Sequence, residues 1–103
     1  MAVCLLLAAC STSRVDERMS YWRAEVAGHL PVGTAKPQAE AFFAARGAKL
    51  ECCVRSSGPW LHFARERNVG RLLWTEYDVV VEVEFSADEK VASVSVRRWG
   101  VGL

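Results

Sequence analysis

The first part of the chain has apolar residues at intervals of three or four positions, a spacing that places them along one face of an α-helix. Asp16 and Glu17 lie in the first turn, where the helix dipole favours negative charge. Gly28 and Pro31 are typical of the end of a helix. The pattern therefore predicts a helix that begins at Val15. Its buried stripe is predicted to consist of Val15, Met19, Trp22, Val26 and Leu30.

A second amphipathic segment follows a short loop over residues 30–34. Thr34 is expected to cap the new helix, and Pro37 falls in the first turn, where its missing N–H costs little. Gly47, directly after Arg46, is typical of a left-handed C-cap. The buried face of this helix is predicted to consist of Ala35, Ala39, Phe42 and Phe43.

After Gly47 the hydrophobic period changes to two, as expected for β-strands. Turn residues separate the alternating segments at 56–59 and at 86–90, and residues 66–70 interrupt the alternation. Strands are therefore predicted over residues 49–55, 60–65, 72–85 and 91–99. Their core-facing residues are predicted to include Val79, Val81, Val83, Phe85, Ala92, Val94 and Val96.

Helices that come first and strands that follow predict an α+β domain. The expected architecture is two N-terminal helices packed on one face of a three- or four-stranded antiparallel sheet. After removal of the apolar N-terminus the chain is long enough for one domain, which is assigned to residues 15–103.

The N-terminus is a separate feature. Residues 2–9 are wholly apolar and far shorter than the roughly 20 residues that span a bilayer as a helix. They end in small residues, as do the hydrophobic region and cleavage site of a signal peptide. Residues 1–9 are therefore expected to be a signal peptide. No Lys or Arg precedes the apolar run, a departure from a complete signal that indicates a start further upstream. The alternative is a fortuitously apolar N-terminus on a soluble protein.

The segment Leu7-Ala8-Ala9-Cys10 resembles the lipobox of bacterial lipoproteins. This resemblance implies cleavage before Cys10, lipid attachment to its thiol and acylation of its new amine. Residues 10–14 would then form a polar tether between the lipid and the domain. Ser11, in place of an aspartate after the cysteine, implies a periplasm-facing protein of the outer membrane.

Charge restricts the classes of partner. The formal net charge is +1, and every charged residue lies after Cys10. This near-neutral balance leaves no basic surface large enough to neutralise the phosphates of a nucleic acid, which argues against a nucleic-acid partner. Arginine outnumbers lysine by ten to three, which favours bidentate carboxylate pairing and aromatic stacking.

The candidate groups for chemistry predict neither an enzyme nor a metal protein. Cys52 and Cys53 are adjacent on a predicted strand and are expected to point to opposite faces, which argues against a zinc site with His62. One core cysteine and one exposed thiol are expected, with intermolecular pairing as the alternative. Glu82 and Glu84 are expected to form cross-strand ion pairs with Arg97 or Arg98. No cofactor or small-molecule substrate is indicated.

The aromatic residues of the strand region indicate a binding surface. Tryptophan, tyrosine and arginine are enriched at the hot spots of protein interfaces. The alternative is that these side chains cover the edge of the core. The predicted partner-binding residues are Trp60, Trp74, Tyr77, Trp99, Arg97 and Arg98.

Residues 30–99 resemble the SmpA/OmlA (BamE-like) domain of small outer-membrane lipoproteins. The resemblance rests on Leu30-Pro31-Val32-Gly33-Thr34, the helix with Phe42-Phe43, Gly47, and the hairpin with Ser86-Ala87-Asp88-Glu89-Lys90. It implies two helices on an antiparallel sheet and a protein that acts by binding other proteins. The expected function is a membrane-anchored protein-binding or assembly module of the envelope. The alternative is an inhibitor or immunity-type protein that blocks an envelope or secreted enzyme.

Overall fold

A computed structural model describes residues 10–55, 57–72 and 74–102, so the predicted signal at 1–9 lies outside the described residues. Two helices precede one four-stranded antiparallel sheet in the order β1-β2-β3-β4, which confirms the predicted α+β class. The elements are α1 (Cys10–His29), α2 (Lys36–Ala45), β1 (Glu51–Val54), β2 (Leu61–Leu72), β3 (Thr75–Phe85) and β4 (Val91–Gly102).

Helix α1 confirms the predicted apolar stripe but begins earlier than expected. Val15, Trp22 and Leu30 are buried, and Met19 and Val26 pack against the same core. The helix starts at Cys10, so residues 10–14, predicted as a tether, are helical. Neither Gly nor Pro occurs among these residues, so no helix-breaking residue forces a later start.

Helix α2 buries Ala39, Phe42 and Phe43 as predicted. The expected cap by Thr34 is wrong: Ala35 is the N-cap residue and makes no side-chain capping bond. The Thr34 hydroxyl instead donates a hydrogen bond of 2.7 Å to the carbonyl oxygen of Pro31. A φ of +73° at Gly47 confirms the left-handed end of the helix.

Two of the predicted strand boundaries are wrong. Strand β2 continues through residues 66–70, where a break was predicted, because a bulge between Glu66 and Gly70 absorbs the irregular positions. Trp74 lies in the turn after β2, so β3 begins at Thr75 and not at residue 72.

One face of the sheet forms the core with both helices. Val79, Val81 and Val83 of β3 are almost fully buried there. A register shift near Phe85 makes Val91, rather than Ala92, the buried residue at the start of β4. The rings of Trp22 and Phe43 stack at a centroid distance of 6.0 Å, which joins the two helices within this core.

Polar contacts fix α1 against the sheet and against α2. Glu66 of β2 accepts hydrogen bonds of 2.9 Å from the indole N–H of Trp22 and from Nε of Arg18. Between the helices, Arg46 donates a hydrogen bond of 2.9 Å to Glu25, and its guanidinium lies 3.9 Å from the centre of the Phe42 ring. Because α1 and α2 cover one face, the opposite face of the sheet is left uncovered by helices.

Candidate functional site

The sheet face opposite the helices, called here the outer face, contains a groove of about 390 Å³. It crosses all four strands, from β1 at one edge to β4 at the other. We call it the outer groove. It is lined by Val54, Arg55, Leu61, Phe63, Arg65, Val80, Glu82, Arg97 and Trp99.

Strand register explains why these side chains meet. In an antiparallel pair, directly opposed residues share a face of the sheet. Phe63 is opposite Glu82, whereas Val80 is opposite both Arg65 on β2 and Arg97 on β4. The row formed by Arg65, Val80 and Arg97 therefore places an aliphatic side chain between two guanidinium groups.

Internal ion pairs partly neutralise the outer groove. Nε of Arg97 lies 3.5 Å from Glu82, and Nε of Arg65 lies 3.7 Å from Asp78. Asp78 is 5% exposed and also accepts a hydrogen bond of 3.0 Å from the backbone N–H of Asn68. The buried Nε of Arg65 has no hydrogen-bond partner among the described residues.

Aromatic rings accompany two of the three arginines. The guanidinium of Arg97 lies 5.7 Å from the centre of a Trp99 ring, and that of Arg55 lies 5.5 Å from a Trp60 ring. Trp99 is 45% exposed and Trp60 is 59% exposed. The outer groove therefore combines a partly buried apolar floor with solvent-accessible tryptophan and arginine.

The six predicted partner-binding residues do not form one patch. Trp99 and Arg97 lie in the outer groove. Tyr77 packs against the core on the helix-covered side, with the Arg98 guanidinium 5.5 Å from its ring.

The other two predicted residues do not line the outer groove. Trp60 precedes β2 and borders the groove through its contact with Arg55, and Trp74 lies in the turn between β2 and β3.

The residues in the middle of the outer groove were not among the predicted partner-binding residues. The signal for these residues is the alternation of Leu61, Phe63 and Arg65 along β2, which places their side chains together on the face opposite the core. The uninterrupted run Val79-Val80-Val81 indicated that both faces of β3 carry apolar side chains.

The acidic pair on β3 is divided between two kinds of contact. Glu82 approaches Arg97, which confirms a predicted cross-strand pair. Arg98 is directed to the other face of the sheet, so it is not a second partner there. Glu84 accepts a hydrogen bond of 3.3 Å from Ser93.

A second cluster lies beside β1, at the opposite edge of the sheet from β4. A disulfide joins Cys52 and Cys53, contrary to the expectation that their side chains point apart. The register of β1 shifts between Glu51 and Val54, so the alternation of a regular strand does not hold there. The ring nitrogens of His62 lie 3.8 and 3.9 Å from Sγ of Cys53.

The environment of His62 favours the neutral imidazole. Burial lowers its pKa below the usual 6.5, and the positive charge of Lys36 acts in the same direction, against the opposing charges of Glu40 and Glu89. The ring meets Phe85 edge-on at 4.9 Å between centroids. A neutral imidazole retains a nitrogen lone pair for a hydrogen bond or a metal ion.

Comparison with known proteins leaves the relationship open. No protein family matches this chain, and neither a curated protein nor a solved structure resembles it at a significant level. The resemblances to a lipobox and to the BamE-like domain therefore stay predictions. Among the described helices, none has the length and apolar character needed to cross a membrane.

Proposed function

We propose that this chain is a protein-binding module of the bacterial envelope, anchored by lipid at Cys10, which contacts its partner through the outer groove. The observation that carries the proposal is the outer groove itself: an apolar floor with exposed Trp99 and three arginines on the sheet face that the helices leave uncovered. Tryptophan and arginine are enriched at the centres of protein interfaces, where apolar surroundings exclude water.

The charges of the outer groove favour a partner segment that combines an aliphatic or aromatic side chain with a carboxylate. Arg65 and Arg97 each lie near one acidic residue, at 3.7 and 3.5 Å. Arg55 contacts the Trp60 ring, and no carboxylate of the described residues pairs with it. A partner carboxylate would therefore meet an excess of guanidinium groups, which bind carboxylates in bidentate geometry.

The envelope location rests on the sequence around Cys10. The disulfide between Cys52 and Cys53 is compatible with such a location, since disulfides persist in exported proteins and are rare in the cytosol. Acylation of Cys10 would attach the lipid to the first residue of α1. Because α1 packs on the opposite side of the sheet from the outer groove, the groove would remain accessible to a partner.

The binding role is tested by substitutions in the outer groove. Purified chain is immobilised and exposed to a detergent extract of the envelope, and captured proteins are quantified by mass spectrometry. Trp99→Ala should reduce capture of the partner by about tenfold or more, since truncation of a hot-spot residue costs about 2 kcal/mol. Arg98→Ala is the matched control, because Arg98 lies next to Trp99 in sequence but on the opposite face.

Circular dichroism and thermal unfolding of each variant would confirm that the fold is retained. Equal capture by the wild-type chain, Trp99→Ala and a Phe63→Ala variant would contradict binding through the outer groove. Loss of capture in Arg98→Ala alone would move the binding site to the helix-covered side.

Inhibition of an enzyme is the second candidate, and the exposure of Trp74 favours it. This residue is 78% exposed in the tight turn between β2 and β3, the geometry of a side chain that could enter a partner's active site. Trp74→Ala separates the two candidates. Loss of binding in Trp74→Ala, with Trp99→Ala unchanged, together with inhibition of the captured enzyme by the wild-type chain, would support the inhibitor.

A further inference from the structure

We propose that reduction of the Cys52–Cys53 disulfide creates a site for one thiophilic cation, Cu(I) or Zn(II), bound by both sulfurs and a ring nitrogen of His62. The ligand atoms of these three side chains lie within 4.8 Å of one another. This inference does not depend on the proposed partner, because the cluster lies on the helix-covered side of β2 and not in the outer groove.

The separation of Cys53 and His62 is that of two ligands of one ion. With metal–sulfur bonds near 2.3 Å and metal–nitrogen bonds near 2.0–2.1 Å, sulfur and nitrogen ligands of one ion are about 3.6–3.8 Å apart in tetrahedral or trigonal coordination. The Cys53 sulfur already lies 3.8 Å from one ring nitrogen of His62 and 3.9 Å from the other. Cys53 and His62 therefore already have the ligand separation that one ion requires. Because the sulfur is almost equidistant from the two ring nitrogens, the imidazole would rotate to direct one lone pair at the shared ion.

Cys52 is placed to supply the second sulfur ligand. Once the disulfide is reduced, the two sulfurs need to part to about 4 Å to bind one ion, as the same bond lengths require. Cys52 is exposed, so rotation about its Cα–Cβ bond meets little resistance and solvent has an entry path to the site. Cys53 and His62 are partly buried and would hold the inner side of the ion.

The chemistry of the donor atoms determines which cations the site would bind. Thiolate ligands select Cu(I) and Zn(II) over Mg(II), Ca(II) and Mn(II), which prefer oxygen. Two thiolates and a neutral imidazole fill three positions, and Zn(II) would take a water molecule as its fourth ligand. With Cu(I) the complex carries a net charge of −1, and with Zn(II) it is neutral. The charges that act on His62 are those of Lys36, Glu40 and Glu89.

The reactions balance with a dithiol as the reductant. Dithiothreitol supplies two electrons and two protons, which break the Cys52–Cys53 sulfur–sulfur bond and leave two thiols, while the reagent becomes its cyclic disulfide. Cation binding then replaces the two thiol protons, which pass to solvent, and neither the metal nor the sulfur changes oxidation state. The disulfide form cannot supply thiolates and should not bind the ion.

The test uses the full chain with Cys4→Ser and Cys10→Ser, so that only the two cysteines of the proposed site remain. The reduced and the disulfide forms are each titrated anaerobically with Cu(I), and separately with Zn(II), in competition with a chromophoric chelator. We expect one ion per chain for the reduced form and none for the disulfide form. The two titrations show which cation binds more tightly.

His62→Gln should weaken binding by about 100-fold, since loss of even an outer-shell partner of a metal ligand costs 10–100-fold. His29→Gln is the matched control, because His29 is the only other histidine and lies at the end of α1. Equal affinity of wild-type and His62→Gln, or binding by a Cys52→Ser/Cys53→Ser variant, would overturn the proposal.

X-ray absorption on the unsubstituted site keeps the test decisive if His62→Gln does not fold. Two sulfur ligands and one nitrogen ligand are expected around the bound ion. A coordination shell of sulfur alone, or no binding of either cation by the reduced chain, would also overturn the proposal.

Discussion

The carboxylate of Glu66 accepts two hydrogen bonds that join α1 to the sheet. One donor is the indole N–H of Trp22, a side chain only 2% exposed, and the other is Nε of Arg18. Glu66→Leu would leave the buried indole N–H without an acceptor, so we expect a loss of about 1–3 kcal/mol in the free energy of unfolding, measured by urea denaturation at pH 7.

Two further variants separate the hydrogen bond from the charge. Glu66→Gln keeps an oxygen acceptor for Trp22. Arg18→Ala removes the ion pair, which is partly exposed to solvent, and the contact of the guanidinium with the exposed Tyr21 ring. Each should cost less than about 1 kcal/mol, because screened ion pairs contribute little. A Glu66→Gln variant as unstable as Glu66→Leu would show that the charge, and not the buried indole, determines the effect.

Periodicity predicted the helices and the core strand well because each of those elements buries one regular face. The stripe from Val15 to Leu30 and the alternation of Val79, Val81 and Val83 both match the structure. Periodicity did not predict the full length of β2, because residues 66–70 do not alternate at the bulge within the strand. The prediction that Cys52 and Cys53 point to opposite faces was wrong for a similar reason, because a register shift in β1 removes the regular alternation.

The outer groove was only partly predictable for another reason. Trp99 and Arg97 were selected by residue type, and the structure places both in the groove. Arg98 and Tyr77 have the same chemistry but face the helix-covered side, which depends on strand register and not on composition. The faces of Arg98 and Tyr77 follow from the register of β3 against β4, in which Asp78 is opposite Trp99. No local sequence pattern fixes that register.

The bulge in β2 depends on the backbone conformation of Asn68, whose φ is +56°. Asparagine is tolerated in this left-handed region, whereas a β-branched residue is not. Asn68→Val should therefore lower the free energy of unfolding by about 1–2 kcal/mol, as measured by denaturant titration. The hydrogen bond to Asp78 is donated by the backbone N–H of Asn68, so the substitution does not remove its donor.

Matched variants isolate the conformational cost at this bulge. Asn68→Gly should change stability by no more than about 0.5 kcal/mol, because glycine adopts positive φ without a steric penalty. Arg67→Val places the same side chain at the exposed neighbouring position and should also be nearly neutral. Equal losses for Asn68→Val and Arg67→Val would mean that the left-handed conformation is not the cause.

The shape of the whole molecule has a consequence for its proposed attachment to a membrane. Helix α1 has 20 residues and is therefore about 30 Å long. If Cys10 carries the lipid, the lipid is joined to this helix without an intervening flexible linker. The outer groove would then lie on the side of the sheet away from α1.

Attachment at Cys10 is tested by substitution and fractionation. The wild-type chain should sediment with the membranes, because Cys10 would carry lipid on its thiol and an acyl chain on its amine. Two lipid signals suffice for stable anchoring, since each buried methylene contributes roughly 0.8 kcal/mol. Cys10→Ala should move the protein to the soluble fraction. Cys4→Ala is the matched control, since Cys4 lies in the predicted signal and would be removed with it. Mass spectrometry should identify Cys10 as the acylated N-terminal residue, whereas a retained Met1 with a free Cys10 thiol would contradict the anchor.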